Sequence, residues 1–171
     1  MRRPHRRILV IPREYLDVIP IGTKLFPYLY QFENGLRLAI HEHLSVCYTN
    51  WWESKLKTDL PKIYARAEDR KKKRDLMPWI GDSAQVPLLP IHHVTLGELE
   101  EIVKEYQSDC IPDLFPTLHF FLGHMECIKL VRNLYSHMFP CLKDSDAALA
   151  RSEIRALCSS LNRKLQTYFK P

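Results

Sequence analysis

Between Leu118 and Phe139 the apolar residues Leu118, Phe121, Leu122, Met125, Ile128 and Val131 recur at three- and four-residue steps. That is the period of an amphipathic helix burying one stripe, and Pro140 forbids a further regular turn. The same period recurs along the chain. Over Leu25–Cys47 it places Leu29, Phe32, Leu36, Ile40, Leu44 and Cys47 on one face, with Glu33 four residues before Arg37, the favoured order for an intrahelical ion pair. Over Thr95–Gln107 it aligns Leu96, Leu99, Ile102, Val103 and Tyr106 behind the capping box Thr95-Leu96-Gly97-Glu98. From a cap at Asp144 or Ser145 to Tyr168 it predicts Leu149, Ile154, Leu157, Leu161, Leu165 and Tyr168 inward. With no convincing strand pair, the chain reads as all-α, a bundle of four to five main helices over residues 25–171.

The segments between carry different signals. Residues 1–24 show no helical period, and Pro12 and Pro20 break anything longer than Ile8–Ile11, so a basic N-terminal arm is expected there. Thr49–Arg74 reads as two helical pieces, Asn50 capping the first with Glu53 completing its box, and Pro61 in the first turn of the second. Trp51 and Trp52 cannot both face one way, which predicts one in the core and one at a rim. Asp75–Val94, with Pro78, Gly81, Pro87 and Pro90, reads as a long loop, a lid or a partner-binding segment.

At 171 residues, a single domain can bury its own core. Five scattered Cys without a C-x-x-C pair indicate neither a disulfide framework nor a zinc site. His92-His93 lacks Cys or carboxylates at ligand spacing, so neither metal nor cofactor is expected. Ile8–Ile11 is too short for a secretory signal and no stretch suits a membrane span, which predicts a cytoplasmic protein. The net charge of +5 is uneven: Met1–Arg13 carries +5 and Arg66–Arg74 carries +4, leaving the remainder acidic. Phosphate attraction would then be local, through the arm and through Arg66, Arg70, Lys71, Lys72, Lys73 and Arg74.

The other concentration of chemistry is the end of the Leu118 helix, where Arg132-Asn133 precedes His137. Spacing alone is weak: 13 Arg and 8 His in 171 residues yield about 0.6 accidental R-x4-H matches. On an ideal helix a five-residue step turns about 140°, so the pair would converge only if the helix loosens near Ser136. The plainer reading is two cations favoured by a helix C-terminus. The chemical reading is RNA cleavage without metal. His titrates near neutrality and can take or give a proton, and the planar Arg fork can hold phosphate oxygens. Asn133 could orient the His or bind phosphate. One His cannot be base and acid in a single concerted step, so a second group is required.

Arg132-Asn133 and His137, late in a long helix, resemble the R-N-x-x-x-H signature of the HEPN superfamily, all-helical domains found in many prokaryotic ribonuclease toxins and defence proteins. The E-x-x-L-R pattern Glu33–Arg37 followed by Trp51-Trp52 is similar to one branch of it. The resemblance spans roughly Leu25–Phe169, with only Arg132, Asn133 and His137 matching the signature itself. It implies a HEPN-like bundle and a homodimer whose shared basic groove holds both copies of Arg132, Asn133 and His137. Glu33, Arg37, Tyr135 and Ser136 would then support or shape the site. It also implies an endoribonuclease acting as a toxin or antiviral effector, with an RNA substrate and an antitoxin or regulatory protein as a further partner. Some members carry, two residues after the His, a Tyr that a partner modifies; here that position is Phe139. The alternative is a HEPN-like module that binds RNA, a nucleotide or a protein without cutting.

Overall fold

The helical periods become helices. The computed structural model of the chain describes residues 13–76, 88–111, 113–137 and 143–168, the side chains at 14, 15 and 162–168 excepted. Its elements are α1 (Arg13–Cys47), a π-helical turn (Trp52–Leu56) running into a short α2 (Lys57–Asp59), α3 (Pro61–Asp75), a 3-10 turn (Pro90–His93), α4 (Leu96–Glu105), α5 (Gln107–Cys110), α6 (Leu118–Ser136) and α7 (Asp144–Tyr168). No strand occurs among the described residues, so the all-α expectation holds. Of the helices, α1, α3, α4, α6 and α7 run for ten residues or more. No helix among the described residues is long and apolar enough to cross a membrane.

The main departure is α1, whose 35 residues include 13–24, the part expected to be an extended arm. Residues 1–12 lie outside the described residues. Pro20 and Pro27 sit inside the helix, where each costs about 3 kcal/mol by removing a bond to the carbonyl four residues back. Seven residues apart, they share one face, and both are exposed, so water can satisfy the freed carbonyls. The opposite face continues the core stripe towards the N-terminus, with Val18, Ile21 and Gly22 leading into buried Leu25, Leu29, Phe32, Leu36, Ile40 and Leu44. Each fully buried apolar side chain contributes about 1.5–3 kcal/mol, enough along this length to outweigh two prolines.

α7 packs against both α1 and α6, and α4 against α6 and α1. The buried face of α7 is Ala147, Ala150, Ile154, Leu157 and Leu161. Leu149, expected inward, lies about 100° off that stripe and is 52% exposed; the side chains of Leu165 and Tyr168 lie outside the description. Cys47 also departs from its expected core face and is exposed, because α1 ends there. Trp51 and Trp52 are both buried, at 2% and 5% exposure, because the π-turn lets their rings meet edge-on at 5.5 Å. Asn50 does not form the expected cap: it takes a positive φ of 52°, and its carbonyl, not its side chain, accepts from the Glu53 and Ser54 N–H groups. Asn tolerates that conformation better than most residues.

The approach of α6 to α1 depends on Gly22. A Cβ there would sit 2.0 Å from Tyr135 Cε2, whereas one at Gly35 would meet nothing within 4 Å. Gly35→Ala is therefore expected to raise stability by about 0.5–1 kcal/mol through helix propensity. Gly22→Ala is expected to lower it despite the same propensity gain, because overpacking costs about 1–3 kcal/mol. Urea denaturation of the two variants checks the opposite signs.

Candidate functional site

α6 starts at Thr117, whose Oγ1 accepts from the Phe120 N–H at 3.0 Å, and buries Phe121, Met125, Ile128 and Val131, as their spacing predicts. It remains regular through Ser136. His137 then leaves the helix at φ −94°, ψ 7°, its N–H donating to the Asn133 carbonyl at 3.0 Å. Pro140 and Phe139 lie outside the described residues.

Arg132 lines two clefts. The first, about 340 Å³, lies between α1, the 3-10 turn and the end of α6, and is walled by Phe26, Tyr30, Glu33, Asn34, Arg37, His92, Arg132, Tyr135 and Ser136 among others. The second, about 260 Å³, lies against the start of α4 and is walled by Thr95, Leu96, Gly97, Lys129, Arg132 and Asn133. The Arg132 guanidinium meets Asn133 Oδ1 at 3.4 Å and makes no ion pair with a described carboxylate. Arg132 and Asn133 are thus brought together. His137 is exposed and is not among the residues lining either cleft, because α6 does not loosen before Ser136. Within one described chain, the expected Arg-Asn-His convergence is therefore only partial.

The supporting residues are placed as follows. Glu33 and Arg37 form the expected intrahelical pair at 2.7 Å, and both also face the first cleft beside Tyr135 and Ser136. Arg37 is committed to structure: its side chain is 11% exposed, and Nε and Nη2 donate to the Val94 carbonyl at 3.2 and 2.9 Å. Arg66 and Arg70, expected on an RNA surface, both pair with Glu98, Arg66 at 2.9 Å with its side chain still 53% exposed, and Arg70 also donates to the His93 carbonyl at 2.6 Å. Glu98 accepts as well from the Thr95 N–H at 2.8 Å, closing the predicted capping box. Lys73 pairs with Asp69 at 2.7 Å. Lys71, Lys72 and Arg74 make no ion pair among the described residues. Arg74 lies near enough to His92 and His93 to disfavour their charged forms.

Sequence reasoning weighed His92 only as half of a metal-ligand pair, whereas the fold sets it in the cleft with Arg132. No local signal could have shown this, since the two residues are forty apart in sequence. Burial holds His92, His93 and His41 below their ordinary value of 6.5, with the Arg37 and Arg74 charges adding to the effect at His92. For His41 the direction agrees with its hydrogen bond: Trp51 Nε1 donates to Nδ1 at 3.2 Å, which only an unprotonated Nδ1 can accept. His124, which looked incidental, pairs with Glu153 between α6 and α7. At Glu100, burial acts to raise the carboxyl, but Lys104 and Lys129 outweigh it, and the Lys129 contact at 2.5 Å ties α6 to α4.

Other chemistries find less support. Burial pushes the thiols of Cys47, Cys127 and Cys158 up, and that of Cys110 to about 12, so none of these is poised as a thiolate nucleophile. Among the described residues, no group of three or more His, Cys, Asp and Glu is placed to hold a metal ion. No protein-family model matches the chain, and no curated protein or solved structure is significantly similar to it.

The lowered histidines set a pH dependence. Just below 6.5 the unfolded chain takes up protons that folded His41, His92 and His93 refuse, so their burial costs nothing above that pH and weakens folding as pH falls through it. The urea midpoint is expected to drop between about pH 7.5 and 5.5, with a smaller drop in His41→Gln. A midpoint that rises on acidification would contradict this account.

Proposed function

We propose that the protein is a metal-independent endoribonuclease of HEPN type, acting as a toxin or defence effector, with Arg132, Asn133 and His137 as its working residues. The observation that carries the reading is Arg132, a guanidinium at the open end of α6 that no described carboxylate neutralises and that faces two clefts. Arg presents paired N–H donors to phosphate oxygens, and the Asn133 amide beside it adds a neutral donor. Tyr30 and Phe26, 61% and 51% exposed at the edge of the first cleft, offer aromatic faces for unstacked bases. Lys71, Lys72 and Arg74 would extend the basic surface.

In this reaction the ribose 2′-oxygen attacks phosphorus as its proton leaves. The bond to the 5′-oxygen breaks, and that oxygen takes up a proton. The products are a 2′,3′-cyclic phosphate and a 5′-hydroxyl end. His137 supplies one of the proton transfers. A homodimer juxtaposing two α6 ends would bring a second His137, and an antitoxin or other regulatory protein would act by covering the groove. The position of His137 outside both clefts favours one alternative, a module that binds RNA, a nucleotide or a protein partner without cleaving it.

Expression of wild type, Arg132→Ala and His137→Ala from a tight promoter, with growth and total RNA followed at matched protein levels, separates the two. Growth arrest with discrete fragments ending in cyclic phosphate is expected for wild type, and each substitution is expected to reduce cleavage by about 10²-fold or more. RNA left intact by wild type would favour the binding module, whereas RNA cut equally by all three proteins would remove Arg132 and His137 from the chemistry.

A further inference from the structure

The first cleft holds a histidine that the Arg-Asn-His pattern does not include. His92 lies on the 3-10 turn, and its Nδ1 is 3.1 Å from the Leu89 carbonyl. A carbonyl only accepts, so Nδ1 carries the proton and, in the neutral ring, Nε2 holds the lone pair. Nε2 has no hydrogen-bond partner among the described residues, and no unpartnered side-chain nitrogen there is buried from solvent, so Nε2 is accessible. A histidine with one nitrogen fixed by a carbonyl and the other presented to an open cleft is oriented as a base.

Its surroundings keep it in that state. The turn is clamped from both sides, by Arg70 on the His93 carbonyl and by Arg37 on the Val94 carbonyl. Among the described residues, the charged and titratable groups around His92 are Tyr30, Glu33, Arg37 and His41 from α1, Arg74 from α3, Arg132 and Tyr135 from α6 and His93 from its own turn. Cations outnumber the single carboxylate, which disfavours the imidazolium and suits a phosphate on the opposite wall.

We propose that His92 is a catalytic base of this cleft, taking the ribose 2′-OH proton onto Nε2 while Arg132 of the same chain holds the adjacent phosphate. This rests on the ribonuclease reading and deepens it. The 2′-oxygen then bonds to phosphorus, the bond to the 5′-oxygen breaks, and that oxygen takes up a proton from the His137 that a second copy of α6 brings to the groove. The base thus comes from the same chain as Arg132 and not from a second copy of His137.

The test is the pH dependence of kcat/KM for cleavage of bulk transfer RNA by wild type, His92→Gln, His92→Ala and His137→Ala, with urea midpoints as the control on folding. Wild type is expected to hold its rate through 6.5, the ordinary histidine value, and to lose it only further into the acid range, where Nε2, held lower by burial and by the Arg37 and Arg74 charges, is protonated. Both His92 variants are expected to lose about 10²–10⁴-fold, mostly in kcat, and to lose that acidic limb. Added imidazole is expected to restore cleavage by His92→Ala, a rescue that a merely structural histidine would not allow. If wild type cleaves and the His92 variants retain both rate and acidic limb, or fail to respond to imidazole, His92 is not the base and the ribonuclease reading survives. If wild type does not cleave RNA at all, both fall together.

Discussion

The Glu98 carboxylate is the contact on which the site's geometry rests. Its side chain is 7% exposed, and a charge taken out of water to that degree persists only when paired and hydrogen-bonded. Four groups meet the requirement: Arg66 and Arg70 from α3, and the backbone N–H and hydroxyl of Thr95 at the start of α4. Satisfying this one buried charge fixes where α3 lies against α4. It also leaves the remaining reach of Arg70 for the His93 carbonyl. With Arg37 on the next carbonyl, Val94, two arginines from different helices hold a turn that has little regular structure of its own.

A second constraint closes the cleft from the other side. α1 continues through two prolines because its inner face keeps finding apolar partners, and at Gly22 that face has no side chain. The Tyr135 ring occupies the space, drawing the end of α6 against the first half of α1. Lys129, about two turns earlier and bonded to Glu100, fixes α6 to α4. The two clefts on either side of Arg132 are consequences of these contacts.

The basic residues divide according to what they meet. Arg37 and Arg70 have donors committed to carboxylates and carbonyls of the scaffold, and Arg66 adds its Nε to Glu98 while staying 53% exposed, so substitution at Arg37 or Arg70 would disturb the frame before any chemistry. Arg132, Lys71, Lys72 and Arg74 have no such ion pair with described acids and are among the cations that the proposed phosphate contacts could use. A linear count of charge cannot make that division, because Arg66, Arg70 and Lys72 lie within one short tract.

The helices and most of their inward faces were legible in the chain itself. The steps from Phe121 to Val131, the Thr95–Glu98 box, the Glu33–Arg37 pair and Pro61 at a helix start are local rules, with every partner within a few residues. Misreadings came where a local rule was overruled from a distance. Pro20 signals a break, but tertiary burial along α1 exceeds its cost. Leu149 matches a helical period in the wrong phase, and only the packing of Ala147 and Ala150 against neighbouring helices selects the right one. Arg66 and Arg70 read as part of a phosphate-attracting tract, and their pairing with Glu98, some thirty residues later, is not visible in the sequence. The sequence by itself determined an all-helical chain and put Arg132 and Asn133 near a helix end, since periodicity, capping and proline act over single turns. Only the tertiary structure decided that His92 shares a cleft with Arg132, because that follows from satisfying a buried carboxylate and filling the space above a glycine, and that His137 stands outside it, because α6 stays regular through Ser136.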